Sequence, residues 1–252
     1  MRECIFYTTV TIAIWALSLS WLFPLLIVLK FSQTCRDKWF SWLLVRVSGP
    51  LFKTLVDKQR EKAFDLLKEH LGDKKRKTPL EILEIGVGGG DNLQFYPENA
   101  NLTVLDSNES FIKYFEENRQ KYPQVNLKNI IIAWAEDMHE VADESFDILV
   151  CTLVLCSVKD VQTVLKEVKR VLKPGGKFLF WEHIMYPSSS WNATLQRLLN
   201  PLWKIYFDGC NINRKLDEEI RKAGFSDLDI QRKDLERIWI YVRPQIIGVA
   251  TK

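Results

Sequence analysis

No Cys-x-x-Cys pair occurs in the 252 residues. The five cysteines, at 4, 35, 151, 156 and 210, are an odd number without metal-ligand spacing. That argues against a disulfide framework or a zinc site and fits a reducing compartment. Histidine is scarce: the three, at 70, 139 and 183, are too scattered for a metal site by spacing, and no metal is expected as a partner. Excess charge is lacking too. A net charge of +3 is too small to argue for a nucleic-acid partner. The basic run Lys74-Lys75-Arg76-Lys77 reads as a solvated linker, with attraction to anionic headgroups as its alternative. The longest absence is of charge near the N-terminus: residues 5–29 carry no charged side chain in 25 positions. As a helix they reach about 37 Å, enough to cross a hydrocarbon core of roughly 30 Å. The stretch is too long for a cleaved signal peptide and no small-x-small site follows it. A core helix would need protein on every side. A membrane anchor over 1–30 is therefore expected, and Pro24 leaves a single span and a re-entrant hairpin both open.

What is present begins with an amphipathic region, 31–79. Between 31 and 56, Trp39, Phe40, Trp42, Leu43, Leu44 and Val47 mix with Arg36, Lys38, Arg46 and Lys53. Aromatics beside basic residues suit a headgroup zone, and the same pattern suits an ordinary helix covering the following domain. Lys30, Arg36 and Lys38 follow the apolar segment while Arg2 alone precedes it, which places the following domain in the cytosol. The sequons at Asn101, Asn108 and Asn192 are accordingly expected to be unused.

Residues 80–92 join an apolar run ending in an acid, Glu84, to a glycine-rich turn, Gly86-Val87-Gly88-Gly89-Gly90. Twenty-two residues after Glu84, Leu102-Thr103-Val104-Leu105 ends in Asp106. A doubly wound nucleotide fold presents its first two strand ends this way: backbone amides at one, a ribose-binding carboxylate at the other. A dinucleotide fingerprint starting at Gly86 would need a small residue at position 91, where Asp91 stands. From residue 80 onward apolar runs alternate with charge-rich helical stretches, the mark of a βαβ array. Strands are expected over 80–85, 102–105, 127–133, 146–153 and 177–181, and helices near 108–121, 159–172, 190–207 and 214–223. Two β-like runs, 225–232 and 239–250, close a domain spanning 80–252. Lys173-Pro174-Gly175-Gly176 is expected to stop a helix and turn the chain, and Pro244 to mark an edge strand or a bulge.

The E-x-G-x-G-x-G pattern from Glu84 is similar to motif I of class I S-adenosyl-L-methionine (SAM) methyltransferases. Ser145-Phe146-Asp147-Ile148-Leu149 resembles motif IV, and Val171-Leu172-Lys173-Pro174-Gly175-Gly176-Lys177 the signature after the fourth strand. The resemblance implies an α/β, doubly wound, Rossmann-like fold: a seven-strand class I methyltransferase sheet whose last strand is antiparallel, here behind an N-terminal membrane-anchor helix. It implies SAM as cofactor. Gly86, Gly88 and Gly90 would admit its methionine end, with amides at a helix start taking the carboxylate. Glu84 would accept from its α-amino group, and Asp106, with Ser107 beside it, would take the ribose diol. Ala135 with Glu136 or Asp137 would meet adenine, while Cys151 and Thr152 face the sulfonium. Trp134 stands where the family often has an acid, and core packing is favoured for it over stacking on adenine.

Further motifs narrow the resemblance. They are Asn92 with Phe95-Tyr96-Pro97, Ala135-Glu136-Asp137-Met138-His139, the run from Val150 to Val158, Glu182-His183, Phe207-Asp208-Gly209-Cys210-Asn211 and Val242-Arg243-Pro244. With the uncharged N-terminus they make nearly the whole chain resemble methyltransferase-like family seven. That family's members are membrane-associated thiol S-methyltransferases of the endoplasmic reticulum membrane and lipid droplets. One departure is Val87-Gly88-Gly89-Gly90, where the family carries Cys-Gly-Thr-Gly; small replaces small, so cofactor binding is expected to survive while substrate preference diverges.

Methyl transfer from SAM is an in-line displacement that asks mainly for alignment and a deprotonated nucleophile. An alkyl thiol with a pKa near ~8.5 is only a few per cent thiolate at neutral pH. The candidate bases are His183, at the end of the fifth strand, and Asp208; a hydrogen-bonded structural histidine and a turn residue are the alternative readings. Cys151 and Cys156 are expected to be packed, inert core thiols. Three functions are compatible with these residues: methylation of small lipophilic thiols at a membrane or lipid-droplet surface, methylation of a lipid, quinone or other O, N or C acceptor, and a non-catalytic SAM-binding membrane protein.

Overall fold

The computed structural model describes residues 2–72, 78–98 and 100–252; the basic run at 74–77 lies outside them. Seven strands form one sheet: β1 (Glu81–Ile85), β2 (Asn101–Asp106), β3 (Asn126–Ile132), β4 (Phe146–Thr152), β5 (Leu172–His183), β6 (Asp227–Asp234) and β7 (Pro244–Thr251). Their order is β3-β2-β1-β4-β5-β7-β6. β1 to β5 pair in parallel, and β7 runs antiparallel between β5 and β6. The order reverses between β1 and β4, and the crevice at the carboxyl ends of those strands is where such sheets bind ligands.

Strand periodicity sorts the core into two layers. Leu83, Ile85, Leu149, Cys151, Phe178 and Phe180 point to one face; Ile82, Ile148, Val150 and Leu179 point to the other. The first layer is closed by α6 (Val161–Val171), α7 (Trp191–Tyr206) and α8 (Leu216–Lys222). Asp160 caps α6, its side chain accepting from the Thr163 N–H at 2.7 Å, and Ser190 caps α7 through the Ala193 N–H at 3.2 Å. The second layer is closed by α5 (Ile112–Arg119) and by α4 (Gly49–Leu71), whose Ala63, Phe64, Leu66 and Leu67 are buried.

Three local expectations need correction. The link from β1 to β2 contains no α-helix, only tight turns and a three-residue 3₁₀ turn, Leu93–Phe95. Three left-handed glycines at 86, 88 and 90 and then Pro97 leave no room for a longer helix. The face such a helix would cover is taken by α4, where Phe64 stacks on Phe95 at 5.2 Å. Pro174-Gly175-Gly176 is not a separate turn. β5 runs unbroken from Leu172, and these residues form an irregularity opposite Phe146 and Ile148 of β4. Pro244 sits on an inner strand, but as its first residue, opposite Asp234, where a missing N–H is tolerated.

The N-terminal segment is a chain of short helices. α1 (Arg2–Leu19) and α2 (Phe23–Phe31) meet at an angle of 79°, and no single helix among the described residues is long and apolar enough to cross a membrane. Pro24 opens α2 rather than kinking a longer helix. α3 (Gln33–Trp42) continues into a π-helical turn, Leu43–Ser48, before α4. Pro50, which has no N–H and crowds the preceding turn, accounts for that widening. The segment docks on the sheet domain. Thr11 Oγ1 meets the Tyr241 hydroxyl at 2.9 Å, Trp15 Nε1 donates to the Leu198 carbonyl at 3.0 Å, and Trp39 Nε1 to that of Tyr206 at 3.0 Å.

Candidate active site

A cavity of about 290 Å³ opens over the carboxyl ends of β1, β2 and β4. The glycine turn, Asp106 and Glu136 line one end; His183, Cys156, Cys210, Trp203 and Phe207 line the other. Phe40 and Leu44 of the N-terminal segment close the side.

Glu84 is the last residue but one of β1 and is 1% exposed. Its Oε1 accepts from Asn92 Nδ2 at 2.8 Å and its Oε2 from the Tyr96 hydroxyl at 2.7 Å. Burial pushes its pKa up to about 7, against the lowering effect of those two donors. Asn92 Nδ2 also reaches Thr152 Oγ1 at 3.0 Å, joining the ends of β1 and β4. Asp106 ends β2; the Gly88 N–H donates to its Oδ2 at 3.0 Å and the Asn108 N–H to its Oδ1 at 2.9 Å. Its pKa is pushed up to about 6, again by burial. A β-carbon on Gly86, at φ +68°, would lie 2.3 Å from Val154, so the turn between β1 and the loop after β4 closes only with glycine there.

Ten residues that the sequence singles out line this cavity: Glu84, Gly86, Gly88, Asp106, Ser107, Ala135, Glu136, Thr152, His183 and Asp208. Gly90 does not; a side chain there would strike Leu93 and Phe115 under the turn. Asp137 points to solvent and pairs with His139 at 3.0 Å. That leaves Glu136, whose Oε1 accepts from the Lys159 N–H and whose Oε2 is buried without a partner. Cys151 faces the core, its Sγ 3.8 Å from Glu182 Oε1, because strand alternation turns it away from the side that Thr152 shows. Trp134 is not a core residue: it is 44% exposed, lines the cavity and carries Lys159 Nζ 4.3 Å over its ring.

At the far end the residues come from three segments. Cys156 follows β4, His183 ends β5 and Cys210 follows α7. His183 Nε2 lies 3.1 Å from Cys210 Sγ, and the two sulfurs are 3.5 Å apart. Trp203 Nε1 points at Cys210 Sγ from 3.3 Å. Cys156 is thus buried as expected, but on the cavity wall. Its thiol is held well above the usual range by the Cys210 sulfur and by burial. Burial opposes the His183 imidazolium, yet the Cys156 sulfur and Glu182 beside it leave its pKa raised. Asp208, at φ +43°, accepts from Arg36 Nε at 3.2 Å and Gln33 Nε2 at 3.3 Å. Burial raises its pKa, with Arg36 acting against the rise. Sequence reasoning did not single out Arg60, Phe40, Leu44 or Cys210 for the site. Phe40 and Leu44 were read only as part of an amphipathic stretch facing headgroups or covering the domain, and Arg60 follows it without a motif; Cys210 was visible only as part of the Asp-Gly-Cys element.

Residues 83–180 match the methyltransferase-domain family. The chain is 40% identical over 222 residues to thiol S-methyltransferase TMT1A of Homo sapiens, covering 88% of this chain and 89% of that protein. It is 37% identical over 228 residues to TMT1B of Rattus norvegicus, covering 90% and 92%. The chain belongs to the thiol S-methyltransferase family. A SAM-dependent methyltransferase structure from Methanosarcina mazei has a TM-score of 0.54 at 21% identity, over 70% of this chain and 94% of that one, and shows the shared fold. As a class I methyltransferase the protein has SAM as its methyl donor. The residues present fit that donor. Glu84 is a buried acid bonded only by neutral donors, a costly state that an ammonium group relieves. Asp106 keeps a free lone pair on each oxygen for a diol, and Glu136 Oε2 awaits a donor.

Proposed function

We propose that this chain methylates small lipophilic thiols, using SAM, at a membrane surface facing the cytosol. Kinship with the curated thiol S-methyltransferases over nearly their whole length carries the acceptor class. The cavity supports it: one end holds acids and the glycine turn, the other is walled by sulfur, imidazole and the aromatic rings of Trp203 and Phe207.

In this reading Glu84 holds the α-ammonium of the donor, with Asn92 and Tyr96 fixing the carboxylate. Arg60, whose Nε is buried without a partner, takes the donor's carboxylate, and the glycine turn admits the methionine end beside it. Asp106 and Ser107 take the ribose, and Glu136 the adenine amine. When bound, SAM supplies a methyl group already activated by its sulfonium. The protein aligns the acceptor sulfur behind that carbon and excludes water.

The membrane reading rests on exposed apolar side chains. Trp21 is 87% and Phe31 75% exposed, and Ile5, Phe6, Ile12 and Phe23 lie on the same segment. Because α1 also leans on the sheet domain, through Thr11 on Tyr241 and Trp15 on α7, we favour a bent α1–α2 pair lying in one leaflet over a straight span. Asn101 and Asn108 are buried and hydrogen-bonded, so the folded chain offers neither to a glycan. Methyl-labelled SAM, offered to purified full-length protein with a thiol panel and separately with a lipid extract, tests the acceptor. Label in thioethers is expected. Label only in lipid would replace the acceptor class, and SAM binding without any turnover would favour a non-catalytic role.

A further inference from the structure

Cys156, His183 and Cys210 stand at intervals that no metal-binding pattern uses, the two cysteines 54 residues apart and His183 27 from Cys210. The fold nevertheless brings their ligand atoms within 4.8 Å of one another. All three line the cavity. A tetrahedral zinc ion with Zn–S near 2.3 Å and Zn–N near 2.0–2.1 Å requires S···S of about 3.8 Å and S···N of about 3.6 Å. The observed 3.5 Å and 3.1 Å are short of those values by a few tenths of an ångström. The side chains are held from three directions. Asn211 N–H and Nδ2 both donate to the Cys156 carbonyl, at 2.9 and 3.2 Å, strapping the two cysteine turns together. Trp203 Nε1 donates to Cys210 Sγ, the kind of outer contact that favours a thiolate and tunes a metal site. His183 is 5% exposed and its Nδ1 has no partner, which is uncommon for a histidine kept only to satisfy a core.

We propose that Cys156, His183 and Cys210 are three ligands of a zinc ion on the cavity wall, with the fourth position open to the acceptor thiol. The geometric part stands without the proposed reaction; the role of the open position rests on the thiol reading above. Binding zinc displaces the Cys156 and Cys210 thiol protons to solvent. An entering alkyl thiol takes the open position as thiolate and releases its own proton through the cavity. The zinc-held sulfur then forms a bond to the methyl carbon as the sulfonium C–S bond breaks, that electron pair remaining on the sulfur of S-adenosylhomocysteine. The neutral thioether, a weaker ligand, leaves. Three protein ligands with one exchangeable site is the arrangement of catalytic rather than structural zinc.

The test uses full-length protein in detergent, purified under reducing conditions without chelator. Elemental analysis is expected to find about one zinc per chain. Cobalt(II) exchanged for zinc is expected to give sulfur-to-metal charge-transfer bands, lost in Cys156→Ser and Cys210→Ser and kept in Cys35→Ser, which alters an exposed cysteine. SAM calorimetry on the same variants reports whether each still folds. Adding a small alkyl thiol is expected to change the visible cobalt spectrum. Removing the metal is expected to lower thiol kcat/KM about 30-fold at pH 7, with the deficit closing as pH approaches ~8.5, where the free thiol ionises unaided. Wild-type protein that binds SAM but neither zinc nor cobalt overturns the proposal, as does a cobalt spectrum indifferent to thiol. Unreduced turnover in metal-free protein would overturn it while leaving thiol methylation standing. A zinc-loaded protein making no thioether would instead overturn the acceptor class.

Discussion

Glu84 is a buried acid with no cation hydrogen-bonded to it, and that sets a pH signature. With a pKa of about 7 in the ligand-free protein, it must lose a proton before it pairs with the donor's ammonium. SAM affinity is therefore expected to tighten as pH rises from 6 to 7, by at most about tenfold per unit for one proton, and to level off above. Asp106, at about 6, adds to the lower part of the same window. Glu84→Gln is expected to weaken SAM by about 10- to 100-fold and to flatten the upper part of that slope; calorimetry across pH reads both. Both acids were legible in the sequence because a charge near the end of an apolar run marks a strand's carboxyl end, which in this fold faces the crevice. Cys151 and Asp137 were misplaced because motif adjacency does not say which side of the backbone a side chain takes. The Cys156–His183–Cys210 cluster was illegible, since it exists only once β4, β5 and α7 are packed.

At the level of elements, the Arg36–Asp208 pair links the start of α3 to the turn after α7. Both side chains are largely buried, 22% and 17% exposed. If the pair acts as a clamp, Arg36→Ala and Asp208→Asn should each cost about 1–3 kcal/mol, or roughly 2–10 °C in melting temperature. The shape of the pH–rate profile should stay unchanged; loss of its acidic limb in Asp208→Asn alone would instead make Asp208 a base. Gly248 tests the sheet itself. A β-carbon there would lie 2.3 Å from both the Asp229 carbonyl and the Phe180 ring, so Gly248→Val is expected to cost about 3 kcal/mol or more, read by urea unfolding. Each strand was visible in the sequence, but not its ends: β5 starts five residues before the expected 177, and β7 starts at Pro244, after a 3₁₀ turn over Ile240–Val242. The missing helix after β1 was not, because the element covering that face is α4, which precedes the sheet in the chain and meets it only on folding.

Over the whole molecule, one face of the N-terminal helices packs on α7 and closes the cavity, while the other carries uncovered aromatic and aliphatic side chains. Full-length protein is expected to float with phosphatidylcholine vesicles, and Trp21→Glu with Phe31→Glu to weaken binding by at least about tenfold while SAM affinity stays unchanged. Vesicle binding indifferent to both substitutions would place the membrane contact elsewhere. The apolar character of this segment was legible in its uncharged sequence, whereas the 79° angle between α1 and α2 was not. The most direct measurement is mass spectrometry of purified protein turning over trideuteromethyl-labelled SAM with a small alkyl thiol. A thioether carrying the intact CD₃ group, formed one for one with S-adenosylhomocysteine, is the expected result. Folded, SAM-saturated protein that leaves every thiol unlabelled would contradict it.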